Sequence, residues 1–205
     1  MFTGIVEGKA SVVRAELENG NMRLTLRLGN KSRAPRRGES ISINGACLTV
    51  STVGRGIVSF DVVAETLRRT NLKFLENGSH VNYERSMKSS DLIGGHLVTG
   101  HIDGTGTVRN VLPEGDSIQM DIAVPSHIGE MISEKGFVAV DGVSLTPARV
   151  TDRGFTVYLI PETRRLTVFS LRKKGDSVNV EVDLFAKYIK KFVEARDAGR
   201  VKKTD

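Results

Sequence analysis

The stretch NGACLTV occupies residues 44–50, and a variant of it, DGVSLTP, returns at residues 141–147. Cys47, the only cysteine of the chain, and Ser144 hold the same place in the two stretches, 97 residues apart. Because such a motif rarely occurs twice in one chain by chance, the pair raises the question of whether the whole chain is duplicated.

Three further pairs of segments answer that question. AETLRRT (64–70) matches PETRRLT (161–167) and GSHVNYE (78–84) matches GDSVNVE (175–181) at the same offset of 97, while MFTGIVEG (1–8) matches LVTGHIDG (97–104) at 96. The period is much longer than the 20–50 residues of solenoid repeats, so each copy is predicted to be a closed domain of its own.

Each copy shows the alternation of apolar and polar residues that is typical of β-strands. In MRLTLRL (22–28) the residues Met22, Leu24, Leu26 and Leu28 share one face, and DSIQMDI (116–122) repeats the pattern. Further predicted strands are ESISI, CLTVST and IVSFDVV in the first copy and FVAV, SLTPARV and FTVYLI in the second. Glycines and polar turns at short intervals favour small antiparallel barrels with about six strands each.

The predicted fold is therefore all-β: two tandem, homologous, six-stranded Greek-key antiparallel barrels followed by a C-terminal α-helix. The predicted domains are 1–88, 96–183 and 184–205. Short helical segments are expected at 65–71, 162–171 and 125–136, whereas no helix is expected in GNKSRAPRRG (29–38).

The C-terminal segment LFAKYIKKFVEARDAGR (184–200) has the spacing of an amphipathic helix. Its apolar stripe consists of Leu184, Phe185, Tyr188, Ile189, Phe192 and Val193. The helix can fold back on its own barrel or serve oligomerisation. We favour oligomerisation, because a lone helix after two complete barrels needs a partner for its stripe.

Composition narrows the class of protein. Apolar residues at 39% and charged residues at 26% are ordinary for a soluble domain. No apolar run approaches the ~20 residues of a membrane span, and a single cysteine fits a reducing cytosol, so a cytoplasmic protein without a membrane partner is expected. The net charge of +6 suits a nucleic-acid surface, but aromatic residues make up only 5% and tryptophan is missing, so no nucleic-acid partner is expected.

Several residue pairs that recur in both copies are candidates for function. Gly45 and Gly142 are best explained by tight turns. The pairs Glu65-Thr66 and Glu162-Thr163 follow apolar strands at a predicted barrel rim, where capping a helix and binding a ligand are equally consistent with the threonines.

The cysteine and the histidines are candidates that do not recur. Cys47 is more often a small buried apolar residue than a nucleophile. His96 and His101 lie in the glycine-rich GGHLVTGH, where they can approach a ligand. The sequence contains neither a zinc-ligand pattern nor a phosphate-binding glycine loop, so no metal or redox cofactor is predicted.

These motifs together resemble the riboflavin synthase family, whose chains contain two lumazine-binding repeats. The likeness rests on MFTGIVEG, NGACLTV, FDVVAETLRRTNL, GGHLVTGHIDG, KGFVAVDGVSLT and LIPET, and it covers nearly the whole chain. The resemblance implies that two molecules of 6,7-dimethyl-8-ribityllumazine exchange a four-carbon unit without a cofactor. It also implies a homotrimer with active sites between subunits.

The resemblance further implies which residues bind substrate. In the first barrel they are Gly4, Ile5, Val6, Cys47, Leu48, Thr49, Asp61, Val62, Val63, Ala64, Glu65 and Thr66. In the second barrel they are Gly100, His101, Ile102, Lys135, Ser144, Leu145, Thr146, Tyr158, Leu159, Ile160, Pro161, Glu162 and Thr163.

The chemistry of the implied reaction selects three catalytic candidates. His101 is predicted to be the base that removes a proton from the C7 methyl of one substrate. The nucleophile toward C7 of the other substrate is Cys47, Ser40, a positioned water or a ribityl hydroxyl. The alternative function is that of a non-catalytic lumazine- or flavin-binding relative. Such relatives lose the motifs of one repeat, whereas both repeats keep them here. Neither segment 30–38 nor the tail 201–205 has a predicted role.

Overall fold

The computed structural model describes residues 1–29 and 35–201, and the first copy forms a closed barrel of six antiparallel strands. The strands are β1 (Gly8–Glu18), β2 (Asn21–Arg27), β3 (Ser40–Ile43), β4 (Ala46–Gly54), β5 (Ile57–Val62) and β6 (His80–Arg85). Their order around the barrel is β1-β2-β5-β4-β3-β6. Because β6 returns beside β3 after the β3-β4-β5 meander, the topology is the predicted Greek key.

The alternating pattern of the sequence fixes which side of each strand faces the barrel core. Met22, Leu24 and Leu26 on β2 are at most 3% exposed, and Leu28 just beyond the strand is also buried. Burying this set contributes about 1.5–3 kcal/mol per side chain, so a register slip of one residue would expose all of it. The strand predicted at 22–28 is confirmed.

The second copy contains the equivalents of the same six strands, with one of them divided into two. Its strands are β7 (Gly104–Glu114), β8 (Ser117–Ala123), β9 (Val138–Val140), β10 (Val143–Leu145), β11 (Arg149–Thr151), β12 (Gly154–Leu159) and β13 (Ser177–Val182). They form the sheet β10-β9-β13-β7-β8-β12-β11. The two edge strands β10 and β11 together match β4. The predicted all-β fold is confirmed, but the interrupted strand leaves the second barrel open.

Proline 147 explains the interruption. In the first copy the equivalent Val50 donates its backbone N–H to the carbonyl of Glu39 at 2.9 Å. Proline has no N–H, so this ladder bond is missing in the second copy and the strand breaks between Leu145 and Arg149.

The helical predictions are confirmed in part. Helix α1 (Ala64–Arg69) with a 3₁₀ turn at Asn71–Phe74, and α3 (Pro161–Leu166) with one at Val168–Leu171, lie where short helices were expected. The helix predicted over 125–136 was wrong beyond its first turn, because α2 is limited to Ser126–Gly129. Beyond Glu130 the backbone N–H groups of Met131 and Ile132 bond to carbonyls three residues earlier, as in turns, and not four residues earlier, as in an α-helix. Residues 30–34 of the segment 29–38 lie outside the described residues.

The C-terminal helix α4 (Leu184–Val201) is confirmed, and it turns its polar side toward the second barrel. Lys187 and Lys190 form ion pairs with the barrel side chains Asp103 and Glu130 at 2.8 and 2.7 Å. The apolar stripe points outward, with Phe192 72% exposed. Folding back on the barrel therefore does not bury the stripe. No helix in the described part of the chain is long and apolar enough to cross a membrane.

The two barrels contact each other at the first residues of the duplicated motif, around Gly45 and Gly142. Gly45 and Gly142 have φ values of +84° and +79°, which side-chain-bearing residues rarely adopt. A Cβ on Gly45 would lie 2.8 Å from the Gly142 nitrogen, and one on Gly142 would lie 2.7 Å from the Gly45 nitrogen. The two turns are therefore packed backbone to backbone.

Buried amide side chains surround this contact in a reciprocal pattern. Asn82 donates its side-chain N–H to the Asp141 carbonyl at 2.9 Å, and Asn179 donates to the Asn44 carbonyl at 2.7 Å. All four residues are at most 1% exposed. Since each bond has its counterpart 97 residues away, the barrels are related by a local two-fold axis through the glycine pair.

Gly45→Ala should destabilise the protein far more than Gly20→Ala. Gly20 also has a left-handed φ of +81°, but a Cβ there meets nothing within 4 Å. We expect about 1–2 kcal/mol for the conformation alone at Gly20 and at least ~2 kcal/mol more at Gly45 because of the backbone clash. Urea denaturation of both variants measures the difference, and equal free energies of unfolding would contradict the close packing of the turns.

Candidate functional site

The segment that precedes the first strand of each copy crosses to the other barrel. The Gly4 carbonyl accepts a hydrogen bond from the Ser144 N–H at 2.8 Å, and the Gly100 carbonyl accepts one from the Cys47 N–H at 2.9 Å. A Cβ on either glycine would lie within 2.6 Å of the Cβ that it faces. Only glycine permits this approach.

The predicted grouping of site residues by barrel was therefore wrong. Gly4, Ile5 and Val6 were assigned to the first barrel, but Val6 is part of the second barrel's core. Gly100, His101 and Ile102 were assigned to the second, but Ile102 packs against the first barrel's core.

The crossing has a physical cause in the pairing of the two leading segments. Phe2 and Val98 form an antiparallel bridge, with N–H to carbonyl distances of 2.7 and 3.0 Å. Both side chains are buried in one small apolar cluster with Ala139 and Cys47. Because the leading segments pair antiparallel across the two-fold axis, the residues that follow Phe2 run toward the second barrel and those that follow Val98 run toward the first.

A buried glutamate holds each crossing segment. Glu84 on β6 accepts hydrogen bonds from the backbone N–H and hydroxyl of Thr3 at 2.6 and 2.8 Å and from the Gly4 N–H at 3.1 Å. Glu181 on β13 makes the same three contacts with Thr99 and Gly100. Burial raises the pKa of Glu84, while its hydrogen bonds with Thr3 and Gly4 oppose that shift.

The first candidate site, here called the Cys47 site, is a cavity of about 520 Å³. Its lining combines Cys47, Glu65 and Thr66 of the first copy with Gly100, His101 and Ile102 of the second. Cys47 is half-buried, and His101 is exposed. A thiol, an imidazole and a threonine thus line one concave surface, a combination that suits proton transfer and recognition of a polar ligand.

Several residues expected at this site lie elsewhere. Leu48 and Val62 are buried in the first core, and Asp61 is an exposed partner of Arg23 at 3.8 Å. Ser40 lies on β3 opposite Thr49, and neither residue is among those that line the cavity. Val63 and Ala64 precede the cavity residue Glu65 at the start of α1 and do not line it.

The second candidate site, here called the Ser144 site, is centred on a histidine outside the predicted binding set. The His96 Nδ1 lies 2.7 Å from the Ser144 hydroxyl, and its ring stacks on Phe137 with centroids 5.1 Å apart. Burial lowers the pKa of His96 below its ordinary value of 6.5, so the imidazole is neutral at neutral pH. A neutral imidazole beside a hydroxyl is able to accept a proton.

The remaining residues predicted for the second barrel divide between its surface and its core. Leu145 and Leu159 are buried in the core, and Tyr158 and Ile160 are about half exposed. The other predicted residues, Lys135, Thr146, Pro161, Glu162 and Thr163, are exposed or partly exposed.

The Glu-Thr pairs do not cap the short helices. The N-caps of α1 and α3 are Val63 and Ile160, neither of which makes a side-chain capping bond. Glu65 instead pairs with Arg68 and Arg69 at 2.6 Å, and these arginines lower the pKa of its carboxyl. The capping explanation of Thr66 and Thr163 was therefore wrong.

His96 lies between the two matched copies, so a comparison of recurring positions does not select it. The signal that marks it is Gly94-Gly95 directly before it. A Cβ on Gly95 would lie 2.3 Å from the Thr3 carbonyl and 2.9 Å from the Ser144 hydroxyl. In the described residues, no three side chains of His, Cys, Asp or Glu are grouped as metal ligands.

The two copies correspond to a known domain. The lumazine binding domain matches residues 3–86 and again 99–183. The riboflavin synthase of Bacillus subtilis (strain 168) is 34% identical over 204 residues, which cover 100% of this chain and 95% of that protein. This chain belongs to the riboflavin synthase family. The riboflavin synthase of Escherichia coli (strain K12) is 42% identical over 185 residues, covering 89% of this chain and 87% of that protein.

Solved structures agree with this membership. LumP complexed with riboflavin has a TM-score of 0.83 at 27% identity and covers 89% of this chain and 100% of LumP. LumP complexed with 6,7-dimethyl-8-(1'-D-ribityl) lumazine gives a TM-score of 0.81 at 26% identity, with 89% and 99% coverage.

Because Glu84 and Glu181 each hold a segment that contacts the opposite barrel, mutating one glutamate should loosen an amide of the other barrel. Glu181→Gln replaces one acceptor oxygen by a donor, so it should loosen Gly100 and thereby the Cys47 N–H, while the Ser144 N–H stays protected. Glu84→Gln should do the reverse and serves as the matched control. We expect hydrogen exchange about 10-fold faster or more at the affected amide, since a bond to a charged group is worth roughly 1.5–3 kcal/mol. Faster exchange at Ser144 in Glu181→Gln would contradict the crossing.

Proposed function

We propose that the chain catalyses the formation of riboflavin from two molecules of 6,7-dimethyl-8-ribityllumazine. One molecule gives a four-carbon unit to the other and leaves as 5-amino-6-ribitylamino-uracil, so the enzyme is a transferase. The observation that carries the proposal is the full-length similarity to riboflavin synthases together with the duplicated lumazine binding domain. Two identical substrates that react with each other require two binding sites of similar shape.

The proposed substrate contacts are those predicted from the sequence, regrouped by the crossing. At the Cys47 site the ligand would meet Cys47, Glu65, Thr66 and the segment 100–102. At the Ser144 site it would meet Ser144, Glu162, Thr163 and the segment 4–6. The backbone groups of Gly4 and Gly100 are already bonded within the protein, so the later residues of each crossing segment, Val6 and Ile102, would face the ring edge. The threonine hydroxyls suit the ribityl chain.

The two sites differ in their bases and nucleophiles, which supports a division of roles. One substrate loses a proton from its C7 methyl, and the other accepts a nucleophile at its C7. His101 at the Cys47 site and the His96–Ser144 pair are the two candidates for the base, and Cys47 remains a candidate nucleophile. A step that uses His96 as base would slow as the pH falls through its lowered pKa, because the protonated ring cannot accept a proton.

Assembly is part of the proposal. We propose a cytoplasmic homotrimer with active sites between subunits, in which residues 1–88 and 96–183 are the barrels and 184–205 the assembly segment. The exposed stripe of α4 supports this, because Phe185, Ile189 and Phe192 are each more than 60% exposed and need a cover.

A non-catalytic flavin-binding protein is the second candidate, and the similarity to LumP favours it. The simplest experiment separates the two. Purified protein is mixed with dimethylribityllumazine without any added cofactor, and riboflavin is followed by its absorbance and fluorescence. Enzymatic turnover supports the proposed function, whereas binding of ligand without riboflavin formation supports the second candidate.

His101→Ala should leave binding nearly unchanged and slow turnover by roughly two to four orders of magnitude, the usual contribution of a general base. The matched control is His80→Ala, because His80 is exposed on β6 and does not line the Cys47 site. Deuterium exchange at the C7 methyl, measured beside turnover, reports the proton step itself. Normal exchange and turnover in His101→Ala would show that this histidine is only a wall of the cavity.

Deleting residues 184–205 should give monomers that keep both barrels. These monomers should lose most of their activity, because the reacting pair would span two chains. Sedimentation velocity gives the oligomeric state and the fluorescence assay gives the activity. A fully active monomer would refute the shared site.

A further inference from the structure

Helix α4 reaches the Cys47 site through one side chain. The Lys187 ammonium lies 2.8 Å from the Asp103 carboxylate and 3.4 Å from the His101 carbonyl, to which it donates. Both side chains of the ion pair are mostly buried, with 24% and 21% exposed. The contact therefore joins the first turns of α4 to the segment that carries His101.

The first copy holds the equivalent segment in another way. Glu7 stands where Asp103 stands in the second copy, and Arg85 of β6 donates to both of its carboxylate oxygens at 3.1 Å. The second copy has Val182 at the place of Arg85. Val182 gives Asp103 only a backbone N–H at 2.9 Å. In the first copy the carboxylate of Glu7 is therefore paired with Arg85 on the last strand of its own barrel. In the second copy the carboxylate of Asp103 is paired with Lys187 on α4 instead.

The outward side of α4 links the Lys187–Asp103 ion pair to assembly. Tyr188 and Ile189 directly follow Lys187 and are 55% and 62% exposed, so they belong to the stripe proposed to pack against neighbouring subunits. Packing of that stripe would fix the position of the helix. When the helix is held in place, Lys187 is also held in place beside the His101 carbonyl.

We infer that Lys187 is a positioning residue that couples the seating of helix α4 to the placement of His101 in the Cys47 site. The inference rests on the proposed function. On the side of Gly100 the segment is held by Glu181 and by the Cys47 N–H. On the side of Asp103 the Val180 carbonyl and the Val182 N–H hold Asp103 itself, at 3.0 and 2.9 Å, and Lys187 adds the contact that reaches the His101 carbonyl. Losing that contact frees the His101 carbonyl, and a displacement of about 1 Å at a reacting group can cost ~100-fold in rate.

The test is Lys187→Met, which keeps most of the length of the side chain and removes its charge. We expect an intact oligomer by sedimentation, kcat lowered about 10-fold or more, a KM changed less than about 3-fold, and slower exchange of the C7 methyl protons. Lys187→Arg should restore most of kcat, because the guanidinium also pairs with a carboxylate.

Lys190→Met is the matched control. It removes the other ion pair between α4 and the barrel, to Glu130 at 2.7 Å, together with a pair to Glu194 within the helix at 4.0 Å. Lys190 does not bond to the His101 segment, so the kcat of Lys190→Met should stay near that of the wild type. Asp103→Asn completes a double-mutant cycle with Lys187→Met. Because both changes break one contact, the double variant should be no slower than the slower single variant.

Three outcomes would overturn the inference. Unchanged kcat in an intact Lys187→Met oligomer would show that the contact is not used. An equal loss in Lys190→Met would show that only general seating of the helix matters, and dissociation of Lys187→Met would make the lysine an assembly contact. Failure of the wild type itself to form riboflavin would instead refute the proposed function and is distinguishable from all three.

Discussion

The close approach of Gly45 and Gly142 is the constraint on which the rest of the structure depends. Two left-handed glycines allow two turns to touch backbone to backbone, so the barrels share one axis. Cys47 and Ser144 each lie two residues beyond these glycines, which places both candidate sites beside the axis rather than at the far ends of the barrels. Each leading segment then reaches the opposite site over a short distance.

The polar residues around the glycine pair give this contact its specificity. Apolar residues would pack there in many relative orientations, whereas Asn82 and Asn179 are satisfied only when each meets the backbone of the other barrel. Leaving such a buried group unpaired costs about 1–3 kcal/mol. One deviation from symmetry is Asp141 in place of Asn44, and Arg172 compensates its charge with a hydrogen bond of 3.0 Å from Nε.

Much of the fold could be predicted because its signals are local. The duplication, the alternation in 22–28 and the stripe of 184–193 are each properties of a short segment or of a constant offset. The crossing of the leading segments could not be predicted, since a sequence offset shows which residues are equivalent and not which barrel they contact. The break at Pro147 was open to prediction, because a proline aligned with Val50 in a central strand removes a donor.

The site was predicted less completely for the same reason. Motif equivalence selected Cys47, Ser144 and the Glu-Thr pairs because it considers only positions that recur. His96 and Lys187 have no such counterpart: one lies between the repeats and the other on the helix that follows them. Both make contacts over long sequence separations, 48 residues from His96 to Ser144 and 86 from His101 to Lys187.

The central claim is that each site is built from both repeats. The most direct measurement is a crystal structure of the full chain with riboflavin bound. The crossed arrangement predicts that the ring beside Cys47 lies within ~4 Å of the backbone of Gly100–Ile102, and that the ring beside Ser144 contacts Gly4–Val6. A ring beside Cys47 that contacts Gly4–Val6 instead, with Gly100–Ile102 remote from it, would contradict the account.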